Sequence, residues 1–348
     1  MTSGYDSEQH YRLLYEQVGR RFAFSATTVQ ELKEWQETFR PALQQALGLE
    51  AILSDLQEHT PRAELRSTEV LGDIVREQWY LWSEPTVPLP FFLLRRKDLH
   101  GRLPVVLTPH GHNQPGIYAG ITRTDEERAS MQEGERDIAV QAAREGYLAL
   151  APTARGFGET RTAQDREKDA LSSCRIELLH GLLLGRTAIG ERVWDVSRLI
   201  DWALTRDDVD GSHIAITGNS GGGTTSLFSA ACDTRIAVAV PSCYFCTFTG
   251  SIGTIHHCDC NYVPGILRLG EMYDVAGLIA PRPFCAIAGE QDSIFPIEHV
   301  RLAYERLRQV YEVAGAGDRC SLYVGEGGHR YYQSGSWPFI RTWFGRQD

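Results

Sequence analysis

A serine, an acid and a histidine follow one another along this chain, each placed directly after a run of apolar residues. The serine, Ser220, is the centre of a G-x-S-x-G pattern, GNSGG at residues 218–222, which lies between the apolar run 213–217 and a series of small residues. A nucleophile on a sharp strand-to-helix turn needs glycine two residues to either side, because larger side chains would collide with the neighbouring backbone. The position of the pattern therefore indicates a nucleophilic serine.

The acid and the histidine are Asp292, which ends the segment GEQD, and His329, which ends the segment GEGGH. His329 would accept the proton of Ser220, while Asp292 would orient the imidazole and stabilise its charged form. Glu290 is a competing acid, because two positions is a small error in predicting a loop. A phosphate-binding loop is the alternative for residues 218–223, but no lysine follows the glycines as a P-loop requires.

An oxyanion hole is predicted from the segment PHGHNQ at residues 109–114, which follows a strand-like run. The backbone N–H groups of Gly221 and His112 are the expected donors, with Asn113 as the alternative to His112. The side chains of His110 and Asn113 are expected to contact substrate. A metal held by His110 and His112 is not predicted, because no carboxylate or third ligand is placed beside them.

Further candidates lie in the segment ARGFGE at residues 154–159 and in a cysteine-rich stretch. Arg155 and Glu159 could contact substrate, but we expect them to pair with each other and stiffen the loop. His256 and His257 are expected to line the pocket. Four cysteines near these histidines could close a zinc site, although their spacing is not standard and we interpret them as buried thiols. These are Cys243, Cys246, Cys258 and Cys260.

The elements that position these side chains are short apolar runs alternating with amphipathic stretches. Predicted strands cover residues 104–108, 147–151, 213–217, 236–241, 284–288 and 321–324, and predicted helices 130–145, 186–206, 221–231, 297–314 and 334–344. Repeated βαβ units predict a mostly parallel, doubly wound α/β sheet with its chemistry at the carboxyl ends of the strands. Before them we expect an antiparallel pair within 68–96, with a proline-rich turn at 85–90, and helices within 5–60. The predicted division is a helical extension at 1–65 and a catalytic domain at 66–348.

Composition restricts the partners and the location of the protein. The 348 residues include 45 acidic and 35 basic side chains, so a net charge of −10 disfavours nucleic acid and anionic membranes. No stretch approaches the roughly 18 consecutive apolar residues of a membrane span. Eight cysteines and a polar N-terminus favour reduced thiols in a cytoplasmic protein. A small-molecule substrate is the expected partner. The sequence also allows a homo-oligomer.

The order of these motifs, over residues 104–345, resembles the α/β-hydrolase superfamily and, within it, bacterial esterases similar to acetyl xylan esterases and dienelactone hydrolases. The segment at 153–159 resembles the Arg-Gly-x-Gly loop of that branch. The resemblance implies hydrolysis of a carboxylic ester through an acyl-enzyme, without a cofactor. The chain has serine where dienelactone hydrolases have cysteine, and GNSGG where the carbohydrate esterases usually have Gly-x-Ser-Gln-Gly.

The expected substrate is a short acyl ester, of the acetyl type, of a sugar or another small polar alcohol. One alternative is a peptidase or amidase of the prolyl-oligopeptidase-like branch, which shares the catalytic groups. Members of that branch carry an N-terminal β-propeller, and the 65 residues of the predicted extension are too few to form one. The other alternative is a non-catalytic receptor with a hydrolase fold, which would not need to retain all three catalytic side chains.

Overall fold

The computed structural model describes residues 4–56 and 59–345. Its centre is a sheet of nine strands in the order β1-β2-β3-β5-β4-β6-β7-β8-β9. The strands are β1 Arg62–Leu71, β2 Ile74–Glu84, β3 Val87–Arg96, β4 Leu103–Leu107, β5 Leu148–Pro152, β6 Val209–Asn219, β7 Val238–Ser242, β8 Phe284–Gly289 and β9 Cys320–Gly325. The helices are α1 Ser7–Gln17, α2 Val29–Leu47, α3 Leu49–Asp55, α4 Asp125–Glu133, α5 Ile138–Arg144, α6 Ala163–Glu167, α7 Cys174–Leu182, α8 Ala188–Leu204, α9 Gly221–Cys232, α10 Ile266–Leu269, α11 Met272–Gly277, α12 Ile297–Val313 and α13 Gln333–Trp343.

The strands from β4 to β9 pair in parallel, as the alternation of apolar runs and helices predicts. Each of the six predicted strands is found, with ends shifted by a few residues. The predicted helix at 130–145 is wrong as a single element, because it divides into α4 and α5. Gly134 and Glu135 separate the two helices, and Glu135 has a positive φ of 50°, which a continuous helix does not allow.

The antiparallel part differs from the prediction, since it has three strands and not two. The turn at 72–73 divides the predicted first strand into β1 and β2. The proline-rich stretch is not wholly a turn, because Pro88 and Pro90 lie in β3. They are tolerated there because the ladder between β3 and β5 begins only at Phe91, so these prolines have a strand partner on one side alone.

The N-terminal helices relate to the sheet in two ways. Helix α2 buries Leu32, Phe39, Leu43 and Leu47 in the same core cluster as the strands. Helix α1 has no buried residue, and its apolar side chain Leu13 is exposed. Strand β1 begins at Arg62, within the segment assigned to the extension. The structure describes no helix with the length and apolar character needed to cross a membrane.

The parallel register brings the candidate site residues to one edge of the sheet. Strands β4, β6, β8 and β9 all end at this edge, and the loops after them carry residues 108–114, 220, 292 and 329 respectively. Segments more than 200 residues apart in the sequence are therefore neighbours, as expected for the carboxyl ends of parallel strands.

Candidate active site

Ser220 occupies the turn between β6 and α9 with φ 58° and ψ −118°, a conformation that only a constrained turn imposes on a non-glycine residue. The flanking glycines permit this turn. A Cβ atom added to Gly218 would lie 2.4 Å from the Pro109 carbonyl oxygen, and one added to Gly222 would lie 2.1 Å from the same atom. The close approach of the loop after β4 thus requires glycine at both positions, which is the geometry predicted from GNSGG.

His329 and Asp292 are joined by a hydrogen bond of 2.7 Å between Nδ1 and Oδ2. The other Asp292 oxygen, Oδ1, accepts hydrogen bonds from the backbone N–H groups of Ile294 and Phe295, at 3.0 and 3.2 Å. The carboxylate is buried and held in one orientation by these three donors. It can therefore fix the histidine ring and its tautomer.

Glu290, the alternative acid, is directed elsewhere. Its side chain is about half exposed and pairs with Arg301 at 2.9 Å. A further contact of His329 was missed by the sequence analysis, since Phe295 stacks on its ring with centroids 5.8 Å apart. Phe295 stands only three residues after Asp292, but a lone aromatic residue in a loop carries no recognisable signal.

The serine turn and the loop that carries His329 lie at the same edge of the sheet. Among the described residues, no hydrogen bond joins Ser220 Oγ to His329. The Ser220 N–H donates to the Ser242 carbonyl oxygen at 2.9 Å, and the next residue, Cys243, has its sulfur within 4.8 Å of ligand atoms of both Asp292 and His329. Catalytic hydrogen bonds in unliganded enzymes are often long and shorten when substrate binds, so the absence of this bond is compatible with proton transfer in a substrate complex.

The loop after β4 lies directly against the serine turn. The Gly111 N–H donates to the Tyr118 hydroxyl at 2.9 Å, and the Asn113 N–H donates to the Gly111 carbonyl oxygen at 2.9 Å. Within residues 4–56 and 59–345, no acceptor is found for the His112 N–H. The His112 ring would be 3.1 Å from a Cβ added to Gly221. The geometry thus favours His112 over Asn113 as the second oxyanion donor.

His110 does not reach the substrate side of the loop, so its predicted role is wrong. The ring is buried, Nε2 accepts from the Ala154 N–H at 2.9 Å, and Nδ1 contacts the Gly111 carbonyl oxygen at 2.6 Å. Burial lowers the pKa of His110 to about 4, so the ring is neutral at neutral pH. His110 therefore connects two loops of the site by hydrogen bonds.

The predicted pair between Arg155 and Glu159 is also wrong. Arg155 is buried and forms ion pairs with Glu84 at 2.6 Å, Asp195 at 2.7 Å and Glu191 at 3.4 Å. Glu159 is exposed and accepts a hydrogen bond from the Tyr80 hydroxyl. The carboxylates that bind Arg155 come from β2 and α8, which only the fold brings to this loop. Arg155 thus anchors the loop after β5 and is not available to substrate.

Replacing Arg155 by leucine is expected to lower the free energy of unfolding by about 3–5 kcal/mol, because buried Asp195 loses its cation. Glu84 and Glu191 would keep only their ion pairs with Arg186. Denaturant unfolding followed by circular dichroism would measure this loss. Arg301→Gln is the matched control, since it removes an exposed ion pair and should leave the midpoint almost unchanged. Similar midpoints for the two variants would show that the buried network contributes nothing to stability.

The four cysteines that the sequence analysis grouped together lie in three places. Cys243 is beside Asp292 and His329, and Cys246 is near Met272 and Pro296. Cys258 and Cys260 lie elsewhere. Cys243 and Cys246 do not join the ligand cluster that contains the other pair, so the four cysteines do not form the single zinc site that was the alternative to buried thiols.

The two neighbouring histidines also have different surroundings. His256 is exposed, whereas His257 is buried and its Nε2 is 2.9 Å from the Ser251 hydroxyl. The His257 ring packs against Phe295 with centroids 5.1 Å apart, and burial lowers its pKa to about 4. His257 is therefore a neutral ring behind the aromatic residue that stacks on His329, while His256 faces solvent.

Comparison with known proteins decides the family. The model of the Abhydrolase family matches residues 10–320, most of the chain. The chain belongs to the Abhydrolase family. This Abhydrolase-family chain is 29% identical over 248 residues to a Bacillus subtilis (strain 168) protein named "Putative hydrolase YtaP", covering 69% of this chain and 77% of that protein.

Solved structures of esterases share its fold. The crystal structure of a putative acetyl xylan esterase from Bacteroides fragilis NCTC 9343 has a TM-score of 0.77 and 17% identity, covering 94% of this chain and 84% of that one. A glucuronoyl esterase from Solibacter usitatus has a TM-score of 0.63 and 14% identity, covering 94% and 99%. The predicted α/β-hydrolase fold and the expectation of a hydrolase are confirmed, and the fold is one that esterases use.

Proposed function

We propose that this Abhydrolase-family protein hydrolyses carboxylic esters through a serine-bound acyl intermediate. The observation that carries the proposal is the 2.7 Å hydrogen bond between His329 and Asp292 at the sheet edge where Ser220 occupies its turn. A nucleophile, an orienting acid and a base in this chain order are the parts that the fold uses for acyl transfer.

In the proposed reaction, His329 takes the Ser220 proton as the hydroxyl oxygen attacks the ester carbonyl carbon. The oxyanion that forms accepts hydrogen bonds from the N–H groups of Gly221 and His112, each such donor contributing about 3–4 kcal/mol to the transition state. His329 then gives the proton to the departing alcohol. Water, deprotonated by the same ring, attacks the acyl-enzyme and releases the acid.

For the substrate we propose a short acyl ester of a sugar or another small polar alcohol. Support comes from the motif resemblance and from the structural relatives, which include a putative acetyl xylan esterase and a glucuronoyl esterase. The acidic net charge fits a neutral substrate better than a polyanion.

The proposal is tested by incubating the full chain with a fluorophosphonate probe and mapping the adduct by mass spectrometry. We expect the probe to label Ser220. We also expect the protein to hydrolyse p-nitrophenyl acetate faster than p-nitrophenyl octanoate. No labelling of folded protein would favour a receptor, and turnover confined to peptide or amide substrates would favour the amidase branch. A preference for the octanoyl ester would overturn the short-acyl part alone.

A further inference from the structure

Four side chains with soft or borderline ligand atoms meet beside the site just described. They come from three separate segments: His112 from the loop after β4, Cys174 from the start of α7, and Cys258 and Cys260 from the loop after β7. Their ligand atoms all lie within 4.8 Å of one another. Since Cys174 has no neighbouring cysteine in the sequence, spacing alone did not reveal this set.

We propose that His112, Cys174, Cys258 and Cys260 bind one zinc ion. Three thiolates and one imidazole form a tetrahedral set that structural zinc sites use. Zinc bonds of about 2.3 Å to sulfur and 2.0–2.1 Å to nitrogen place tetrahedral ligand atoms about 3.6–3.8 Å apart. The sulfur atoms of Cys258 and Cys260 are 3.4 Å apart, and His112 Nε2 is 3.1 Å from Cys260 Sγ. Both separations are within about half an ångström of these values.

The charge around the cluster supports a metal thiolate. The guanidinium of Arg192 is buried and donates to Cys260 Sγ at 3.4 Å and to Cys174 Sγ at 3.7 Å. In the part of the chain that the structure describes, Arg192 has no carboxylate partner within ion-pair distance, and neither oxygen of nearby Glu177 accepts a hydrogen bond. A buried cation needs a counter-charge. Zinc with three thiolates and a neutral imidazole carries a charge of −1, which balances Arg192.

The surroundings indicate a closed, structural site. Cys174 and Cys260 are buried in an apolar cluster with Phe157 and Leu178, and the Phe157 ring packs edge-on against His112 at 5.5 Å. All four tetrahedral positions are filled by protein, so no position remains for water or substrate. The ion would instead connect three loops at the edge of the active site.

One of those loops carries the proposed oxyanion donor, and this consequence rests on the proposed function. Zinc on His112 Nε2 would fix the ring that lies against Gly221, and with it the backbone N–H of His112. The metal would thus act on the reaction only through the position of that loop. Metal binding itself does not require esterase activity.

The inference is tested by metal analysis of the full chain produced with zinc in the medium. Elemental analysis should find about one zinc per chain, and cobalt exchanged into the site should give thiolate-to-cobalt charge-transfer bands and intense tetrahedral d–d bands. Cys174→Ser should lose these bands. Cys246→Ala is the matched control, because its sulfur lies outside the cluster in the same long loop, and it should retain full metal content.

Two further measurements keep the test decisive if Cys174→Ser fails to fold. Arg192→Met retains all four ligands and should bind zinc about 10–100-fold more weakly in a chelator competition. Ser220→Ala should retain the metal, which separates failure of the zinc site from failure of the esterase proposal. The proposed site would be overturned if the wild-type protein contained less than about one tenth of a zinc per chain and gave no cobalt bands. A disulfide bond between Cys258 and Cys260 would also overturn it.

Discussion

The Ser220→Ala variant is expected to lose hydrolysis of p-nitrophenyl acetate, with kcat falling by about 10⁴–10⁶-fold. The loss follows because no other hydroxyl stands on the turn between β6 and α9, so the acyl-enzyme cannot form. Alanine tolerates the positive φ of this position as well as serine does, and in the described residues the Ser220 hydroxyl makes no hydrogen bond that the change would remove. The variant should therefore fold normally, and circular dichroism would verify this alongside the kinetics.

Ser226→Ala is the matched control for this change. Ser226 lies on α9, and its hydroxyl donates to the Gly222 carbonyl oxygen at 2.7 Å, so the substitution removes a serine from the same helix without touching the turn. Activity of Ser226→Ala should stay within a few-fold of wild type. Retention of half or more of the activity by Ser220→Ala would contradict the serine mechanism.

The Asp292→Asn variant is expected to lower kcat by about 10⁴-fold, the size of effect seen when a triad acid is made neutral. Asp292 accepts from three N–H donors, those of Ile294, Phe295 and the His329 ring. An amide offers only one oxygen, so its NH₂ group must face at least one donor. The histidine ring would then take the wrong tautomer or turn away, and its charged form would lose its partner. Steady-state kinetics at constant pH would measure the loss.

Glu290→Gln provides the control two residues away. It neutralises the exposed acid that pairs with Arg301, while the bond between Asp292 and His329 is kept. We expect activity close to that of wild type. A large loss in Glu290→Gln together with an active Asp292→Asn variant would assign the orienting role to Glu290.

Features that depend on neighbours in the sequence were predictable. The turn at Ser220 needs glycine at positions 218 and 222. The local pattern of apolar residues predicts the strand before the turn and the helix after it. Asp292 and His329 follow strands whose parallel order brings their ends to one edge. The fold class and the candidate triad could therefore be inferred without coordinates, because they follow from chain order and from the geometry of a parallel sheet.

The antiparallel strands show where local patterns fail. The pattern of residues 68–96 predicts one pair of antiparallel strands. In the structure the turn at 72–73 separates β1 from β2, and β3 continues through two prolines. Proline usually excludes a strand, but Pro88 and Pro90 lie before the point where β5 pairs with β3. The arrangement of neighbouring strands, and not the residue type, decides whether the missing N–H is costly.

The sequence by itself determined the α/β class, the serine turn and the order of the three candidate catalytic groups. The tertiary structure alone decided which charges and ligands meet: Arg155 pairs with carboxylates from β2 and α8, and Cys174 joins His112, Cys258 and Cys260. The physical reason is that periodicity and turn chemistry act over a few residues, whereas ion pairs and metal ligands depend on distances in space. Those distances are set only after the sheet is assembled, when segments far apart in the chain come into contact.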